Sequence, residues 1–323
     1  MLPLAAACLF GLVSGFNDGG NLMGSFTSGG VITRTLAAVL LLACLIGPLI
    51  AGTAVAETVG TNVIDLRGQG SLGMALLVVA PLGVVLLSWR FGIPTSMTLA
   101  LVGSMLGWVA VAGGHVRWEG VTRVLLGMPI SVIGGGLLAL AIYWTVRRLL
   151  GQRPHASLLE LARLQLATAV IQAVAYGAND MEKTVGLLAV GFSFSAHNQP
   201  LTFAGPAPII GAFLFFYVGA LVGGSRVASR VGYGVLKVRP MQALSQQLAS
   251  GSVVSLLALA GAPVSMTQTI NGGLVGVGAA QRASSIRWGI VRDMLGSWLL
   301  TLPLAVIVAA ALHFVTRALG WVP

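Results

Sequence analysis

Acidic residues are scarce in this chain, and three of the eight stand inside long apolar stretches. The three are Asp18, Asp180 and Glu182. The first lies in the apolar stretch 2–30, and the other two lie in the stretch 164–194, beside Lys183. An ionised side chain at the centre of a membrane helix costs about 2.5–3.5 kcal/mol on insertion scales, so such residues usually serve a function. Carboxylates at these positions can hold an alkali cation or carry a proton.

Asparagine and glycine accompany two of these acids in a repeated Gly-x-Asn-Asp motif. Asn17 and Asn179 directly precede the two acids. Gly15 and Gly177 open the two motifs. Glycine disfavours continuous helix, so we predict a break at each acid, which would expose carbonyls for a cation and N–H groups for an anion. The alternative for the second acid is a structural ion pair with Lys183, three residues further on.

Hydroxyl side chains occur in a second repeated motif, Gly-x-Pro-x-Ser-Met-Thr, at 92–98 and 261–267. Pro94 and Pro263 suit the first turn of a helix, where the missing N–H group costs nothing. Free backbone N–H groups at such a helix start, with hydroxyls beside them, favour an oxyanion. The hydroxyls concerned are those of Ser96, Thr98, Ser265 and Thr267. The alternative for each hydroxyl is a bond to the carbonyl groups of its own helix.

The two motifs together impose an electrostatic requirement on any shared site. Bare carboxylates repel an oxyanion, so either a cation lies between them or the acids are protonated. The residue types therefore indicate coupled transport of an oxyanion with a cation. A passive channel is the competing interpretation, although paired halves with buried acids fit alternating access better.

The composition indicates that membrane helices position these side chains. Of the 323 residues, 56% are hydrophobic and 8% are charged, and the mean hydropathy is +0.93. Soluble domains carry roughly 25% charged residues, whereas a membrane span needs about 20 mostly apolar residues. Ten apolar segments fit, at 2–30, 36–56, 72–89, 92–112, 124–146, 164–194, 205–223, 241–260, 262–281 and 294–316. We therefore predict an all-α integral membrane protein in the lipid bilayer.

The basic residues predict an orientation. Segments 92–112 and 262–281 are rich in glycine and either cross the membrane or form re-entrant hairpins. With ten crossings and an outer N-terminus, thirteen basic residues lie inside and four outside, against ten and seven if those two segments do not cross. Because basic residues collect on cytoplasmic loops, we predict ten crossings of the cell membrane, as a cell inner membrane protein, with both termini extracytoplasmic. Hairpins that reach most of the way across are the alternative.

The motifs reveal an internal duplication. The acid motif recurs after 162 residues and the hydroxyl motif after 169 residues, in the same order. This divides the chain into a first repeat at 1–146, a short basic cytoplasmic linker at 147–163 and a second repeat at 164–323. Each repeat has about five transmembrane elements, an odd number, so the second must be inverted relative to the first. We expect two inverted-topology repeats with broken helices or re-entrant hairpins, and a site where they meet.

Other functional classes find little support. The net charge of +10 comes from Lys and Arg spread singly between apolar runs, so no nucleic-acid surface is predicted. The four histidines are scattered without metal-ligand spacing, and no H-E-x-x-H or G-x-S-x-G motif occurs. We therefore predict no enzyme, no catalytic residue and no prosthetic cofactor. Cys8 and Cys44 lie in apolar runs and indicate no disulfide.

The paired motifs resemble the inorganic phosphate transporter family, which consists of sodium- or proton-coupled phosphate symporters built from two inverted repeats. The resemblance spans nearly the whole chain and includes the flanking runs 55–60 and 287–292. It implies that phosphate is bound by Asn17, Asp18, Asn21, Ser96, Thr98, Asn179, Asp180, Lys183, Ser265 and Thr267. It implies that Asn17, Asp18, Asn179 and Asp180 also hold the coupling ion. Because it is a further acid in the same apolar stretch, we add Glu182 to this expected sodium site. A homo-oligomer is compatible with the sequence.

This chain departs from the family pattern at several positions near the motifs. The family usually has Thr and His where this chain has Met97 and Leu99, and Met266 and Gln268 depart in the same way in the second block. Glu182 replaces a usual Gln and adds a negative charge beside the expected site. These changes leave the coupling ion open between Na⁺ and H⁺. They also leave another oxyanion, such as sulfate, as the alternative cargo.

Overall fold

The computed structural model describes residues 1–90, 95–150, 158–195 and 200–322. These residues form helices joined by loops, with one isolated bridge between Ile64 and Val116. Its main helices are α1 (Leu2–Thr27), α2 (Arg34–Ala51), α3 (Ala54–Glu57), α4 (Gly70–Arg90), α5 (Met97–Ala112), α6 (Trp118–Leu150), α7 (158–195), α8 (Pro206–Gly234), α9 (Pro240–Leu259), α10 (Met266–Arg282) and α11 (Trp288–Ala318). Pro94 and the middle of the expected linker, 151–157, lie outside the described residues. The predicted all-α fold is confirmed.

The exterior of this bundle is apolar and part of its interior is polar, as the bilayer requires. Leu49 and Leu299 are 76% and 77% exposed, whereas Gln172 and Gln246 are fully buried. Among the described residues, six helices are long and apolar enough to cross a membrane, namely Leu2–Thr27, Arg34–Ala51, Arg67–Ser88, Trp118–Leu149, Pro206–Gly223 and Trp288–Ala318. Helix α7 is longer than any of these six, and its central acids and lysine lower its hydropathy.

The acid motifs do not break their helices, contrary to the prediction. α1 and α7 each continue through a π-helical turn, Gly15–Gly19 and Gly177–Met181. The glycines are required by packing between helices. A Cβ atom on Gly15 would lie 2.0 Å from the carbonyl oxygen of Phe216, and one on Gly177 would lie 1.9 Å from that of Cys44. A wider turn at functional residues is typical of π-bulges.

Two helical hairpins, α4 with α5 and α9 with α10, bring the start of α5 and the loop before α10 to the level of these π-helical turns. In the second hairpin, the Val264 N–H donates to Asn179 Oδ1 (3.1 Å), and Asn179 Nδ2 donates to the carbonyl of Ala262 (3.0 Å). Asn179 lies near the middle of α7. Thr98 Oγ1, at the start of α5, donates to the carbonyl of Val264 (3.1 Å), so the two hairpin tips meet at that depth.

This geometry favours the alternative of re-entrant hairpins over ten crossings. Although α4 is long and apolar enough to cross a membrane, the helices of the described residues that extend past the level of the hairpin tips are α1, α2, α6, α7, α8 and α11. Each half keeps three crossings, an odd number, so the repeats remain inverted. The charge count missed the hairpins because the two arms of a re-entrant hairpin enter and leave the membrane on the same side. All loops outside the hairpin then lie on the same side of the membrane as they do when both arms cross. Only Arg90, at the end of α4 beside the first hairpin's turn, changes its assignment.

The second arm of each hairpin packs on the last helix of the opposite half. α5 lies against α11 and α10 lies against α6. Glycines allow the close approach: a Cβ atom on Gly107 would lie 2.1 Å from the carbonyl oxygen of Val306, and one on Gly276 would lie 2.0 Å from that of Gly136. The two halves are thus interlocked around a shared centre, and the hairpin tips lie there.

Candidate functional site

The hairpin tips present two capped helix starts. Ser96 Oγ accepts the N–H of Leu99 (3.3 Å), and Ser265 Oγ accepts the N–H of Gln268 (3.4 Å). Both serines are extended in backbone conformation and buried, as N-cap residues of α5 and α10. Pro263 was expected in the first helical turn, but it lies in the loop before the cap, because α10 begins only at Met266.

The N-terminal ends of α5 and α10 point towards the same buried region. These helices contain 16 and 17 residues, and the bond from Thr98 to the carbonyl of Val264 brings their starts together. A helix N-terminus carries roughly half a positive elementary charge and unpaired N–H groups. Two such ends therefore create a region that favours an anion, with four hydroxyls around it.

The first acid cluster is built from both halves. Asp18 Oδ1 accepts from Asn17 Nδ2 (2.7 Å) and from Thr267 Oγ1 (3.2 Å), and Asp18 Oδ2 accepts from Ser14 Oγ (3.4 Å). Thr267 Oγ1 in turn accepts from Asn21 Nδ2 (2.8 Å). All three donors that the described residues supply to this carboxylate are neutral groups. The Oδ1 atom of Asn21 is buried without a hydrogen-bond partner among the described residues, so it remains free to bind a cation.

The second acid cluster contains a buried ammonium group. Lys183 Nζ donates to Asp180 Oδ1 (2.6 Å), to Thr98 Oγ1 (2.5 Å) and to the carbonyl oxygen of Val264 (2.6 Å). The lysine is only 1% exposed. Asp180 Oδ2 is buried without a hydrogen-bond partner in the described part of the chain. The ion pair considered from the sequence is thus present, and the same lysine also contacts both hairpins.

The structure brings together the residues expected to bind phosphate, but it gives Asn179 and Glu182 other contacts. The amide of Asn179 holds the backbone of the second hairpin tip through both of its ends. Glu182 Oε2 accepts the N–H groups of Val55 and Ala56, each at 3.2 Å. The hydrogen bonds of Glu182 therefore anchor α3 to α7, and they give no support to the expected role of this carboxylate in a sodium site.

A buried tyrosine and a glutamine network were missed by the sequence analysis. Tyr176 directly precedes the second acid motif, is fully buried, and its hydroxyl has no hydrogen-bond partner among the described residues. Ser25 Oγ contacts Gln172 Oε1 and Gln246 Oε1, both at 2.9 Å, and Gln172 Nε2 donates to Ser250 Oγ at 2.7 Å. Glutamines at helical spacing in apolar segments, seven residues apart at 165 and 172 and four apart at 242 and 246, would have been the signal for this network.

Two interlocked inverted repeats around a buried polar centre define a membrane transporter. The model of the Phosphate transporter family matches this chain twice, at residues 14–163 and 153–309. The chain belongs to that family, which contains transporters and not enzymes.

Individual relatives agree with this assignment. The chain is 31% identical to a "Probable low-affinity inorganic phosphate transporter" of Rhizobium meliloti (strain 1021), over 96% of this chain and 94% of the relative. It is 30% identical to a protein of the same description from Mycobacterium bovis, over 100% of this chain and 79% of the relative. A solved structure titled "The sodium-dependent phosphate transporter" has the same fold, with a TM-score of 0.82 and 20% identity over 98% of this chain and 100% of that one.

Proposed function

We propose that this protein is a secondary active transporter that imports inorganic phosphate together with a cation. The observation that carries the proposal is the meeting of two hairpin tips, each a helix start with serine and threonine hydroxyls, beside two buried acids. The relatives described as inorganic phosphate transporters support the choice of cargo.

Phosphate is recognised in this proposal by the hairpin tips. The N–H groups at the starts of α5 and α10 and the hydroxyls of Ser96 and Ser265 supply donors, and the two helix dipoles favour negative charge. The hydroxyls of Thr98 and Thr267 donate to Val264 and Asp18 in this structure, so they would have to turn to donate to phosphate. The Lys183 ammonium adds a fixed positive charge at the same place. The negative charge that lies against the hairpin hydroxyls without a cationic donor among the described residues belongs to Asp18. A cation bound at Asp18 therefore removes the repulsion that would otherwise exclude phosphate.

The coupling cation is Na⁺ or H⁺, and proteoliposomes can decide between them. Labelled phosphate uptake is measured with the sodium gradient and the pH gradient set independently. We expect accumulation that requires one of these gradients and disappears when that gradient is collapsed. Uptake that persists without either gradient would contradict coupled transport and would favour a channel.

Sulfate is the rival cargo on the same scaffold. Phosphate can donate a proton to a carboxylate near neutral pH, whereas sulfate cannot, so a site with acids on both sides favours phosphate. Competition against labelled phosphate tests this preference. We expect a large excess of sulfate to leave phosphate uptake nearly unchanged, and equal competition by sulfate would contradict the proposal.

With six crossings, the basic residues still favour an orientation with both termini on the extracytoplasmic side. The chain has only two cysteines, Cys8 and Cys44, so a cysteine-free background is simple to prepare. In that background, Thr33→Cys in the loop before α2 should react with an impermeant thiol reagent only from the cytoplasmic side. Arg67→Cys, after α3, should react only from outside. The opposite pattern would reverse the orientation.

A further inference from the structure

The ammonium group of Lys183 has the surroundings of a bound cation. Its three partners within 2.6 Å are a carboxylate, a hydroxyl and a backbone carbonyl, all of them oxygen atoms. They belong to three separate elements, namely α7, the start of α5 and the tip of the second hairpin. A simple structural ion pair requires only Asp180. Contact with both hairpins places the positive charge at the junction of the two halves.

The equivalent position in the first half lacks this charge. Asn21 follows Asp18 by three residues, as Lys183 follows Asp180, and Thr267 is the repeat equivalent of Thr98. Asn21 contacts Thr267 as Lys183 contacts Thr98. The two clusters therefore share an acid on a π-helical turn and a threonine from the opposite half's hairpin. They differ by one fixed positive charge.

The charges of the two clusters follow from this difference. The carboxylate of Asp180 is compensated by a permanently attached ammonium group at 2.6 Å. The carboxylate of Asp18 is hydrogen-bonded by an amide and two hydroxyls, which leave its negative charge in place. A buried charge without a counter-charge is strongly unfavourable. The first cluster consequently needs a mobile cation, whereas the second does not.

We propose that Lys183 is a tethered substitute for a coupling cation, so that the Asp180 cluster is permanently occupied and only the Asp18 cluster binds a mobile ion. This inference rests on the proposed function and specifies its ion stoichiometry. It also identifies a position that determines this stoichiometry, since an asparagine there would give the second acid the same residue type three positions on as the first.

Exchange of the two equivalent residues tests the proposal. Equilibrium binding of labelled Na⁺ is measured on the purified protein in detergent, without phosphate. We expect Lys183→Asn to bind one more Na⁺ per chain than the wild type, whatever number the wild type binds. Asn21→Lys should bind no Na⁺ at the first cluster. Lys183→Arg keeps a fixed cation at the same position and should bind the wild-type number.

A folded Lys183→Asn protein that binds the wild-type number of Na⁺, or fewer, would overturn the proposal. Should that variant be unstable without ligand, its melting temperature in NaCl and in choline chloride gives the same information, because an ion that binds the native state raises stability. We expect a sodium-specific rise for Lys183→Asn that exceeds those of the wild type and of Lys183→Arg. Equal rises in all three proteins would also overturn it.

The test separates this inference from the proposed function. Ion counting without phosphate does not depend on the cargo, so the difference between Lys183→Asn and the wild type stands even if the wild type fails to take up phosphate. Conversely, phosphate uptake by the wild type with unchanged ion binding in Lys183→Asn would leave the transporter assignment intact and remove only the role of Lys183.

Discussion

Thr267 of the second half donates a hydrogen bond to Asp18 of the first half at 3.2 Å. Lys183 of the second half donates one to Thr98 of the first half in the same way. The Asp18 cluster thus contains Thr267 from the opposite half's hairpin. The Asp180 cluster contacts Thr98 of the other hairpin through Lys183. Movement of one half relative to the other must change both clusters, so occupancy of the site and the arrangement of the halves are physically linked.

Replacement of Asp18 should abolish coupled uptake while leaving the protein folded. Asp18→Asn removes the charge that attracts the mobile cation, and its amide can still accept bonds from Asn17 and Thr267. We expect labelled phosphate uptake at the level of protein-free liposomes and a normal size-exclusion profile. Asp65→Asn, at an exposed loop acid, is the matched control and should transport normally. Wild-type uptake by Asp18→Asn would contradict the assigned cation site.

Replacement of Asp180 should chiefly destabilise the protein. Asp180→Asn leaves Lys183 as a buried ammonium without its counter-charge, which typically costs about 3–5 kcal/mol. We expect a lower melting temperature for Asp180→Asn than for Asp18→Asn in thermal unfolding followed by size exclusion. The double variant Asp180→Asn with Lys183→Met should recover much of this loss, since it removes both charges. Equal melting temperatures for the two single variants would show that the ion pair contributes nothing.

The serine caps should affect affinity more than turnover. Ser265→Ala removes a hydroxyl from the anion region and the cap of α10. A hydrogen bond to a charged group contributes about 1.5–3 kcal/mol, so we expect the KM for phosphate to rise roughly tenfold or more. Loss of the cap should cost a further ~1 kcal/mol of stability. Ser195→Ala, near the end of α7, is the control, and an unchanged KM in Ser265→Ala would exclude this hydroxyl from binding.

The interlocking of the halves should depend on glycines at the crossing of α5 and α11. In Gly107→Ala the new methyl group would meet the Val306 carbonyl oxygen at 2.1 Å, so the helices must separate. Overpacking typically costs about 1–3 kcal/mol, and we expect a clear fall in melting temperature and in purified yield. Gly83→Ala on α4 has open space around the added atom and should behave as wild type. Similar effects in both variants would contradict the packing argument.

The sequence predicted those site residues that belong to motifs repeated in both halves of the chain. Asp18 and Asp180 stood out because charge is rare in apolar segments, and the serine and threonine motifs stood out because they recur. The π-helical turns were not predicted, because they depend on which helix lies against Gly15 and Gly177. The partners of Glu182 are more than a hundred residues away in the chain, and no local pattern indicates them. The depth to which the hairpins enter the membrane could not be predicted, because counts of basic residues indicate only on which side each loop lies.

The crossing of α5 with α11 has a consequence for how the protein is made. α5 ends at Ala112, whereas the helix that covers its glycine face begins only at Trp288. During synthesis, the first hairpin therefore emerges from the ribosome long before its packing surface exists. Until the last helix is inserted, that glycine face has only lipid or the insertion machinery as a neighbour. The crossing of α5 with α11 therefore cannot form before α11 is inserted, and a chain truncated before α11 cannot complete it.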